Sequence, residues 1–259
     1  MTIATPQSFV EHLSIPKACE LNKPVFKKLF VENGVLDIAD KAALKDDVDK
    51  VRWLYTLKPS TINIAAYADT QRDYSEIAVL QVDLTSNKRL KRIANFMQRS
   101  IPYPLILIFT HDNSLCICLA DKRVNQADKE RWVVEDSLYT EWINLAEPAA
   151  WQAEFLLDCN INSFSFVNFL SFYKSLSERV IAVNCAAHSG RYEREAGSSA
   201  DGDLREGRLD RLRELEKLTL RKSEVANKLK GERQMGRQVE LNTQIKQLND
   251  EIEKIKVRI

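Results

Sequence analysis

The stretch LNTQIKQLNDEIEKIKVRI, residues 241–259, decides how this chain is organised. Its apolar residues recur at alternating spacings of four and three. They are Leu241, Ile245, Leu248, Ile252, Ile255 and Ile259. Apart from Val257, the positions between them are polar or charged. Alternating spacings of four and three are the heptad pattern of a coiled coil. The pattern therefore predicts a helix that buries one stripe of side chains against another helix.

A second charge-rich segment, Leu209 to Leu229, has a helical pattern just upstream. The apolar residues on one side of it are Leu215, Leu218, Val225 and Leu229, with Lys222 interrupting. Gly231 and Gly236 separate the two segments and favour a break between them. The first seam is too weak to stand alone, so we expect the segments to fold back on each other. The prediction is an antiparallel helical hairpin over residues 208–259, and a homodimer through the second helix is the alternative.

Composition excludes several classes of protein. The chain has 259 residues, with 38 Lys and Arg against 37 Asp and Glu, for a formal net charge of +1. A protein that binds nucleic acid through bulk charge is usually more basic, so any such contact must be local. No GxGxxG, GxxxxGK[ST] or GxSxG motif is present. We therefore expect neither a dinucleotide enzyme, nor a P-loop ATPase, nor a common serine hydrolase.

Targeting signals and cysteines indicate the compartment. No uninterrupted apolar run approaches the ~20 residues that a transmembrane helix needs. The N-terminal residues MTIATPQSFVEH lack the basic and apolar regions of a signal peptide, so we expect a cytoplasmic protein without membrane contact.

Five cysteines without an export signal suggest reduced thiols. Cys116 and Cys118 lie in an apolar run and are interpreted as core residues, with a metal pair as the alternative. No metal and no cofactor is expected.

The rest of the sequence predicts an α+β domain, with a mostly antiparallel sheet and flanking helices. Expected strands cover residues 51–57, extended by 61–64, then 76–84, 105–109, 115–120, 131–134 and 138–143. In the first of them Val51, Trp53, Tyr55 and Leu57 alternate onto one face. A tight turn at residues 111–114 should join the strands at 105–109 and 115–120 as an antiparallel hairpin. Expected helices cover residues 6–32 with a proline-containing connection, 87–100 capped by Ser86, and 164–183. The predicted organisation is a globular domain at 1–184, a flexible linker at 185–207, and the hairpin at 208–259.

A basic helix is the first candidate for nucleic-acid binding. Lys88, Arg92 and Arg99 share one face of the helix expected at 87–100, where they could contact phosphates. The alternative is an ordinary solvated helix face. Lys58 begins a polar break between apolar runs, which we interpret either as a binding loop or as a turn.

Carboxylates near strands raise the question of a nuclease. Restriction-type nucleases use an acid followed by an acid-x-Lys motif on the next strand, which hold Mg²⁺ and position a water. Asp83 ends one expected strand, but Thr85 stands where the lysine should be, and Glu76 lies at the far end of the strand. Glu76 and Asp83 are therefore weak catalytic candidates, and ordinary surface carboxylates are the alternative.

The hairpin bend carries the candidates for partner binding. Its outer faces are charged, and such surfaces suit helical docking between matched charges. Asn242 lies beside the first seam position, where a polar side chain could fix the register of a partner. The predicted partner-binding residues are Arg233, Arg237, Glu240 and Asn242.

Several segments together resemble a bacterial family known only as domain of unknown function 4391. These segments are FVEHLSIPKACELNKPVFKKLF, VRWLYTLKPSTINIA, EIAVLQVDL, IPYPLILIF and ERQMGRQVELNTQIKQLNDEI. They cover most of the chain, and their order matches that of the family. The resemblance implies a companion of DNA methyltransferases and helicase-type ATPases in defence or restriction gene clusters. It implies no catalytic residue, because the family has no established catalytic motif.

Together these observations predict a non-catalytic subunit or adaptor of an anti-phage or restriction-type system. Its coiled coil would bind a protein partner such as a helicase-type ATPase or a DNA methyltransferase, and its α+β domain would recognise a protein partner or DNA. The alternative is a diverged metal-dependent nuclease. The sequence leaves open whether the chain is an enzyme, and it favours the non-catalytic interpretation.

Overall fold

The computed structural model describes residues 3–34, 36–124, 132–194 and 202–259. The chain forms two compact units, Met1–Val180 and Ile181–Ile259. The strands are β1 (Glu20–Pro24), β2 (Val48–Leu57), β3 (Tyr67–Ala68), β4 (Asp73–Tyr74), β5 (Ile77–Leu84), β6 (Leu105–His111), β7 (Ser114–Val124), β8 (Trp132–Tyr139) and β9 (Ile143–Asn144). The helices are α1 (Pro6–His12), α2 (Lys27–Asn33), α3 (Ile38–Asp46), α4 (Pro59–Ile62), α5 (Leu90–Ser100), α6 (Ala150–Asp158), α7 (Phe169–Ser189), α8 (Gly202–Gly231) and α9 (Met235–Lys256).

The first unit is built on one large sheet. Its strands follow the order β1-β2-β5-β6-β7-β8, and β9 also pairs with β7. All neighbouring pairs of this sheet that the structure describes are antiparallel except β5 and β6. Those two central strands are parallel, and α5 makes the crossover that a parallel pair requires. The predicted α+β class with a mostly antiparallel sheet is confirmed, as is the hairpin that joins β6 to β7.

One face of the sheet packs on helices α2, α3 and α5. Leu80, Leu107 and Cys118 lie side by side on three adjacent strands and belong to the same core cluster. The helical residues of that cluster are Phe30, Ala43, Leu44, Ile93, Ala94, Phe96 and Met97. All five cysteines are buried and free, which confirms that Cys116 and Cys118 are core residues. Burial of these apolar side chains is the main driving force for the fold of this unit.

The opposite face of the sheet is also buried, and α7 contacts it. Val79 and Ile108 on this face are 0% and 1% exposed. The Tyr173 hydroxyl donates to the carbonyl of Leu105 at 2.8 Å and accepts from the Ala120 N–H at 2.9 Å, so α7 is hydrogen-bonded to the sheet. Because both faces are covered, the central strands are continuous apolar runs rather than alternating patterns.

The N-terminal region differs from its prediction. Residues 6–32 were expected to be helical, but β1 lies between α1 and α2 and pairs with β2 as the edge strand of the sheet. Pro16 and Pro24 bracket the segment and break the helix, as their fixed φ and missing N–H require. The strand itself depends on pairing with β2, which no local pattern shows.

The strand predicted at 61–64 is wrong, because Pro59–Ile62 forms the short helix α4. Pro59 occupies the first turn, and the hydroxyl of Thr61 accepts from the Lys58 N–H at 3.0 Å. Asn63 then ends the helix in the left-handed conformation, with φ of 56°. Proline at a helix start and asparagine at its end are both favoured locally.

Strand β2 contains a bulge that breaks its predicted alternation. Trp53 pairs with Leu80, whereas Tyr55 pairs with the adjacent Val79. Leu54 is therefore the extra residue, and residues before and after it point to opposite faces of the sheet. This explains why Trp53 packs with the core cluster while Tyr55 does not.

Other boundaries differ by a few residues. Helix α5 begins at Leu90 with Arg89 as its N-cap, so Ser86 does not cap it. Helix α7 runs from Phe169 to Ser189, and the Asn168 side chain accepts from the Ser171 N–H at its start. Helices α7 and α8 cover both ends of the predicted linker, and residues 195–201 lie outside the described part. Arg131, the first residue of the strand expected at 131–134, also lies outside the described part.

Within the described residues, no helix is both long enough and apolar enough to cross a membrane.

We predict that a chain ending at Gly190 folds without the hairpin. This chain keeps α7 whole and retains the entire sheet with its core cluster. A unit with its own hydrophobic core generally folds alone. Near-ultraviolet circular dichroism and a cooperative urea transition should both be retained. A shortened chain that lacks near-ultraviolet signal or unfolds without cooperativity would contradict the predicted division.

Candidate functional site

A polar cluster lies on the helix α7 side of the sheet, where the two parallel strands end. We call Arg52, Gln81, Asp83 and Thr110 the strand-end cluster. Gln81 donates to Asp83 Oδ1 at 2.6 Å, and the Thr110 hydroxyl donates to the same oxygen at 2.7 Å. Arg52 donates to Gln81 Oε1 at 3.0 Å. The carboxyl ends of parallel strands are a frequent place for ligand sites in α/β sheets.

The sequence indicated only Asp83 of this cluster. Gln81 and Thr110 are each 6% exposed although they are polar, and they interrupt otherwise apolar strands. Polar residues inside such runs were the available signal, since a buried polar side chain requires a partner. The strand register was not visible in the sequence, and it places Arg52 opposite Gln81 and Asp83 opposite Thr110.

The structure does not bring the two nuclease candidates together. Glu76 precedes β5 and forms an ion pair with Lys58 at 3.2 Å, whereas Asp83 lies near the other end of that strand. Seven residues of strand separate the two by roughly 23 Å at the usual rise per residue. Among the residues described, no group of three or more His, Cys, Asp or Glu side chains could hold a metal ion. Asp83 is the one carboxylate of the strand-end cluster.

The predicted basic face of α5 is paired with carboxylates of α3. Arg92 contacts Asp40 at 2.7 Å and Asp37 at 3.2 Å, and Arg99 contacts Asp40 at 3.4 Å. Asp40 is only 4% exposed, so its charge needs these partners. These contacts form what we call the α3–α5 clasp. Its arginines connect two helices and share their charge with these carboxylates, although their side chains are 42% and 46% exposed.

The remaining nucleic-acid candidates divide into one that is paired and one that is not. Lys58 is paired with Glu76, as described above. Lys88 is exposed, and no described carboxylate lies within ion-pair distance of it. One lysine alone gives little phosphate affinity, because each neutralised phosphate contributes separately to binding. The geometry therefore favours a structural role for α5.

A second pair of carboxylates anchors the start of α5. Arg89 donates to Asp47 Oδ1 at 2.8 Å, and Asp46 lies 3.3 Å from the same guanidinium. The hydrogen bond from Arg89 lowers the pKa of Asp47 below its ordinary value of 3.8. In Asp37, the hydrogen bond from the Asp40 N–H, followed by that from Arg92, lowers the pKa in the same direction.

We predict that Arg89→Gln reduces the acid sensitivity of stability. A carboxyl whose pKa is lower in the folded state contributes stability above its unfolded pKa, and that stability is lost as pH falls through the folded pKa. Without Arg89, the pKa of Asp47 returns toward its ordinary value. Urea denaturation between about pH 5 and pH 2 should show a shallower decline in the free energy of unfolding than in the parent chain.

Lys28→Gln is the matched control, because Lys28 and Glu32 form an exposed pair on α2. That change should leave the pH dependence as it is in the parent. An Arg89→Gln variant with the same decline as the parent would show that Asp47 does not depend on this contact.

Helices α8 and α9 of the second unit pack against each other along the predicted seam. The residues of this cluster are Leu215, Leu218, Val225, Leu248 and Ile252, with Leu241, Ile245, Ile255 and Ile259 packed against them. The six apolar positions predicted from Leu241 to Ile259 therefore all belong to this cluster or pack against it, and the predicted antiparallel hairpin is confirmed. The pairing occurs within the chain because the bend at residues 232–234 is short enough to return α9 directly.

The bend of the hairpin contains a groove of about 390 Å³. The residues that line it are Lys228, Gly231, Glu232, Arg237, Glu240, Leu241 and Gln244. Glu232 Oε1 accepts from the N–H groups of Arg233 and Gln234 at 2.8 and 2.9 Å, which holds the bend. These two hydrogen bonds lower the pKa of the Glu232 carboxyl.

The predicted partner residues occupy different parts of the bend. Arg237 and Glu240 line the groove, and Arg237 lies 3.9 Å from Glu232. Arg233 is exposed within the bend, and Asn242 is exposed on α9 but does not line the groove. The structure thus brings two of the four candidates into one concave surface.

These features define an α+β protein with a C-terminal helical hairpin. On the sheet domain, Arg92, Arg99 and Lys58 are paired with carboxylates, and the bend of the hairpin contains an exposed groove. A family model described as "Domain of unknown function (DUF4391)" matches residues 13–252. The chain therefore belongs to this family. Comparison with curated proteins and with solved structures found no match.

Proposed function

We propose that the chain is a non-catalytic subunit or adaptor of a bacterial anti-phage or restriction-type system and binds a protein partner through its hairpin. The observation that supports this most is the exposed apolar surface of the hairpin. Its seam is buried within the chain, yet Leu220, Met235 and Val239 are 63%, 80% and 60% exposed. Apolar side chains exposed on a charged helical surface are typical anchors for another protein.

Two of these residues lie together. Met235 and Val239 are four positions apart, so they occupy one face of α9, and Asn242 follows three positions later on the same face. This face is distinct from the seam, which begins at Leu241 and continues at Ile245. A partner helix laid along it would contact two apolar anchors and one amide.

The proposed partner class is a helicase-type ATPase or a DNA methyltransferase, because the family resemblance implies companions of these classes. DNA contact through α5 is not part of the proposal, since the α3–α5 clasp occupies Arg92 and Arg99. The hairpin supplies the protein contact, and the partner supplies the contact with DNA.

Co-purification tests the proposal directly. The tagged chain is co-expressed with a helicase-type ATPase or a methyltransferase encoded beside it, and the retained partner is quantified. We expect retention by the full chain and loss from both Met235→Glu/Val239→Glu and the chain ending at Gly190. Thr219→Glu/Ser223→Glu is the matched control, since it adds the same charge at two exposed positions four residues apart on α8, away from the face of Met235 and Val239. Full retention by the shortened chain would make the sheet domain the interface and the proposal wrong.

The competing function is a metal-dependent nuclease that uses Glu76 and Asp83. Incubation with plasmid and single-stranded DNA in the presence of Mg²⁺ or Mn²⁺ separates the two functions. We expect no cleavage by the purified chain. Metal-dependent cleavage that Asp83→Asn abolishes would replace the adaptor with a nuclease.

A further inference from the structure

The hairpin carries a net excess of positive charge only around its bend. Residues 221–239 contain six Lys or Arg and two Glu. The six basic residues are Arg221, Lys222, Lys228, Lys230, Arg233 and Arg237. On either side the charges balance, with five basic and five acidic residues at 202–220 and four of each at 240–259. A local excess of this kind produces a field that selects partners by charge.

Among the described residues, most of these basic side chains have no ion-pair partner. Lys228, Lys230 and Arg233 are exposed, and among the described residues no carboxylate lies within ion-pair distance of them. Glu232 does not neutralise them, because its carboxylate already accepts two backbone N–H groups and lies 3.9 Å from Arg237. The bend therefore presents cationic side chains that a partner can pair.

The groove places two of these basic side chains on one concave surface. Lys228 on α8 and Arg237 on α9 line the same cavity of about 390 Å³ together with the apolar side chain of Leu241. Glu240 and Gln244 line it as well, one turn apart on α9. A complementary ligand thus combines carboxylates for the two cations with an apolar side chain for Leu241.

We propose, resting on the function proposed above, that this groove binds an acidic amphipathic helix of the partner protein. Carboxylates of that helix pair with Lys228 and Arg237, and an apolar residue on the same helical face packs on Leu241. Residues three and four positions apart on a helix share a face, so one short helix supplies both kinds of contact.

Nucleic acid fits the same surface less well. Residues 202–259 contain no Phe, Tyr, Trp or His, so no aromatic ring is available for stacking with bases. The groove also contains Glu232 and Glu240, which repel a continuous row of phosphates. An acidic helix needs only one carboxylate at Lys228 and one at Arg237, whose side chain is 70% exposed in spite of its 3.9 Å contact with Glu232, and it places no continuous row of charge beside the two glutamates.

The test uses the full chain and three labelled probes in fluorescence anisotropy. They are a stapled helical peptide of roughly 20 residues with Glu and Leu at three- and four-residue spacings, the same peptide with Lys in place of Glu, and a duplex DNA of roughly 20 base pairs. We expect the acidic peptide to bind and the basic peptide not to bind. Lys228→Glu/Arg237→Glu should weaken binding about tenfold or more.

The control variant is Lys246→Glu/Lys254→Glu, which makes the same change in net charge on the charge-balanced part of α9. It should retain parental affinity, and far-ultraviolet circular dichroism should show intact helices in both variants. Lys228→Gln/Arg237→Gln replaces the first variant if it loses helicity. An equal loss of peptide affinity in the groove variant and the control variant would show that binding depends only on overall charge, and it would overturn the proposal. Tighter binding of the DNA than of the acidic peptide would overturn it too, as would no binding of the acidic peptide.

These failures are distinguishable from failure of the adaptor function. If the partner still co-purifies through the hairpin but the acidic peptide does not bind, the proposed adaptor function is supported and the proposed binding of an acidic helix is wrong. If the chain ending at Gly190 retains the partner, the adaptor proposal fails as well.

Discussion

Replacing Arg179 with alanine should destabilise the sheet domain by about 3–5 kcal/mol, the range found when one member of a buried ion pair is removed. Arg179 is 1% exposed. Its Nε lies 3.3 Å from Asp158 Oδ2 and donates to the Asp158 carbonyl at 2.8 Å. Other guanidinium nitrogens donate to the Ser175 carbonyl and to the Ser163 hydroxyl, at 2.8 and 2.9 Å. The guanidinium also lies 4.3 Å from the centre of the Phe164 ring.

The large loss of stability is expected because the alanine leaves the hydrogen-bond partners of Arg179 without a donor. The Asp158 carboxylate and the carbonyl groups of Asp158, Ser163 and Ser175 would lose a donor in a place with little access to water, and a cavity would form. Arg179→Lys should recover only part of the loss, because an ammonium group cannot make the forked contacts of a guanidinium. Urea denaturation followed by near-ultraviolet circular dichroism measures both changes.

Arg72→Ala is the matched control. Arg72 makes two hydrogen bonds to Asp121, but their side chains are 32% and 40% exposed. Water replaces such a partner, so we expect a loss of about 1 kcal/mol or less. Similar losses at Arg72 and Arg179 would mean that the burial of Arg179 is not what makes it important.

Replacing Ile252 with aspartate should open the helical hairpin. Ile252 is 6% exposed and packs in the cluster between α8 and α9. The change removes an apolar side chain from the seam and places a charge there without a partner, at a cost of about 3–4 kcal/mol. Hydrogen exchange in the full chain should accelerate along both helices, while the strands of the sheet keep their protection.

Val239→Asp is the control for this variant. Val239 is β-branched like Ile252 and lies on the same helix, but it is 60% exposed. We expect its hydrogen exchange to remain close to that of the parent. Unchanged exchange in the Ile252→Asp chain would show that the seam contributes little to the hairpin.

The two helical variants also separate stability from binding. Ile252→Asp should lose the partner because the hairpin is open. Met235→Glu/Val239→Glu should lose it with the hairpin intact. A partner that binds the Ile252→Asp chain would show that the hairpin is not the interface.

The sequence by itself determined the elements whose patterns are local and strong. The spacing from Leu241 to Ile259 was sufficient for α9, because a helix that buries one stripe must repeat its apolar residues every three or four positions. Continuous apolar runs identified β5, β6 and the start of β7, and residues 111–114 indicated the turn between β6 and β7. Two glycines placed the bend between α8 and α9 approximately.

Sequence patterns are less informative where structure depends on distant residues. Strand β1 has five exposed residues and no apolar pattern, so only its pairing with β2 makes it a strand. The bulge at Leu54 depends in the same way on the register with β5. Propensity and periodicity describe a segment and its neighbours along the chain, whereas strand pairing is decided by burial and hydrogen bonds across the sheet.

Only the tertiary structure decided which charged residues are available. Arg92 and Arg99 form a basic face in the sequence, but they lie against Asp40, which is more than fifty residues away along the chain. Conversely, Lys228 and Arg237 look like two scattered cations until the bend places both at one groove. Sequence spacing determines the face of an element on which a charge lies. The opposing element determines whether that charge is neutralised, because electrostatic pairing acts over a few ångströms in space.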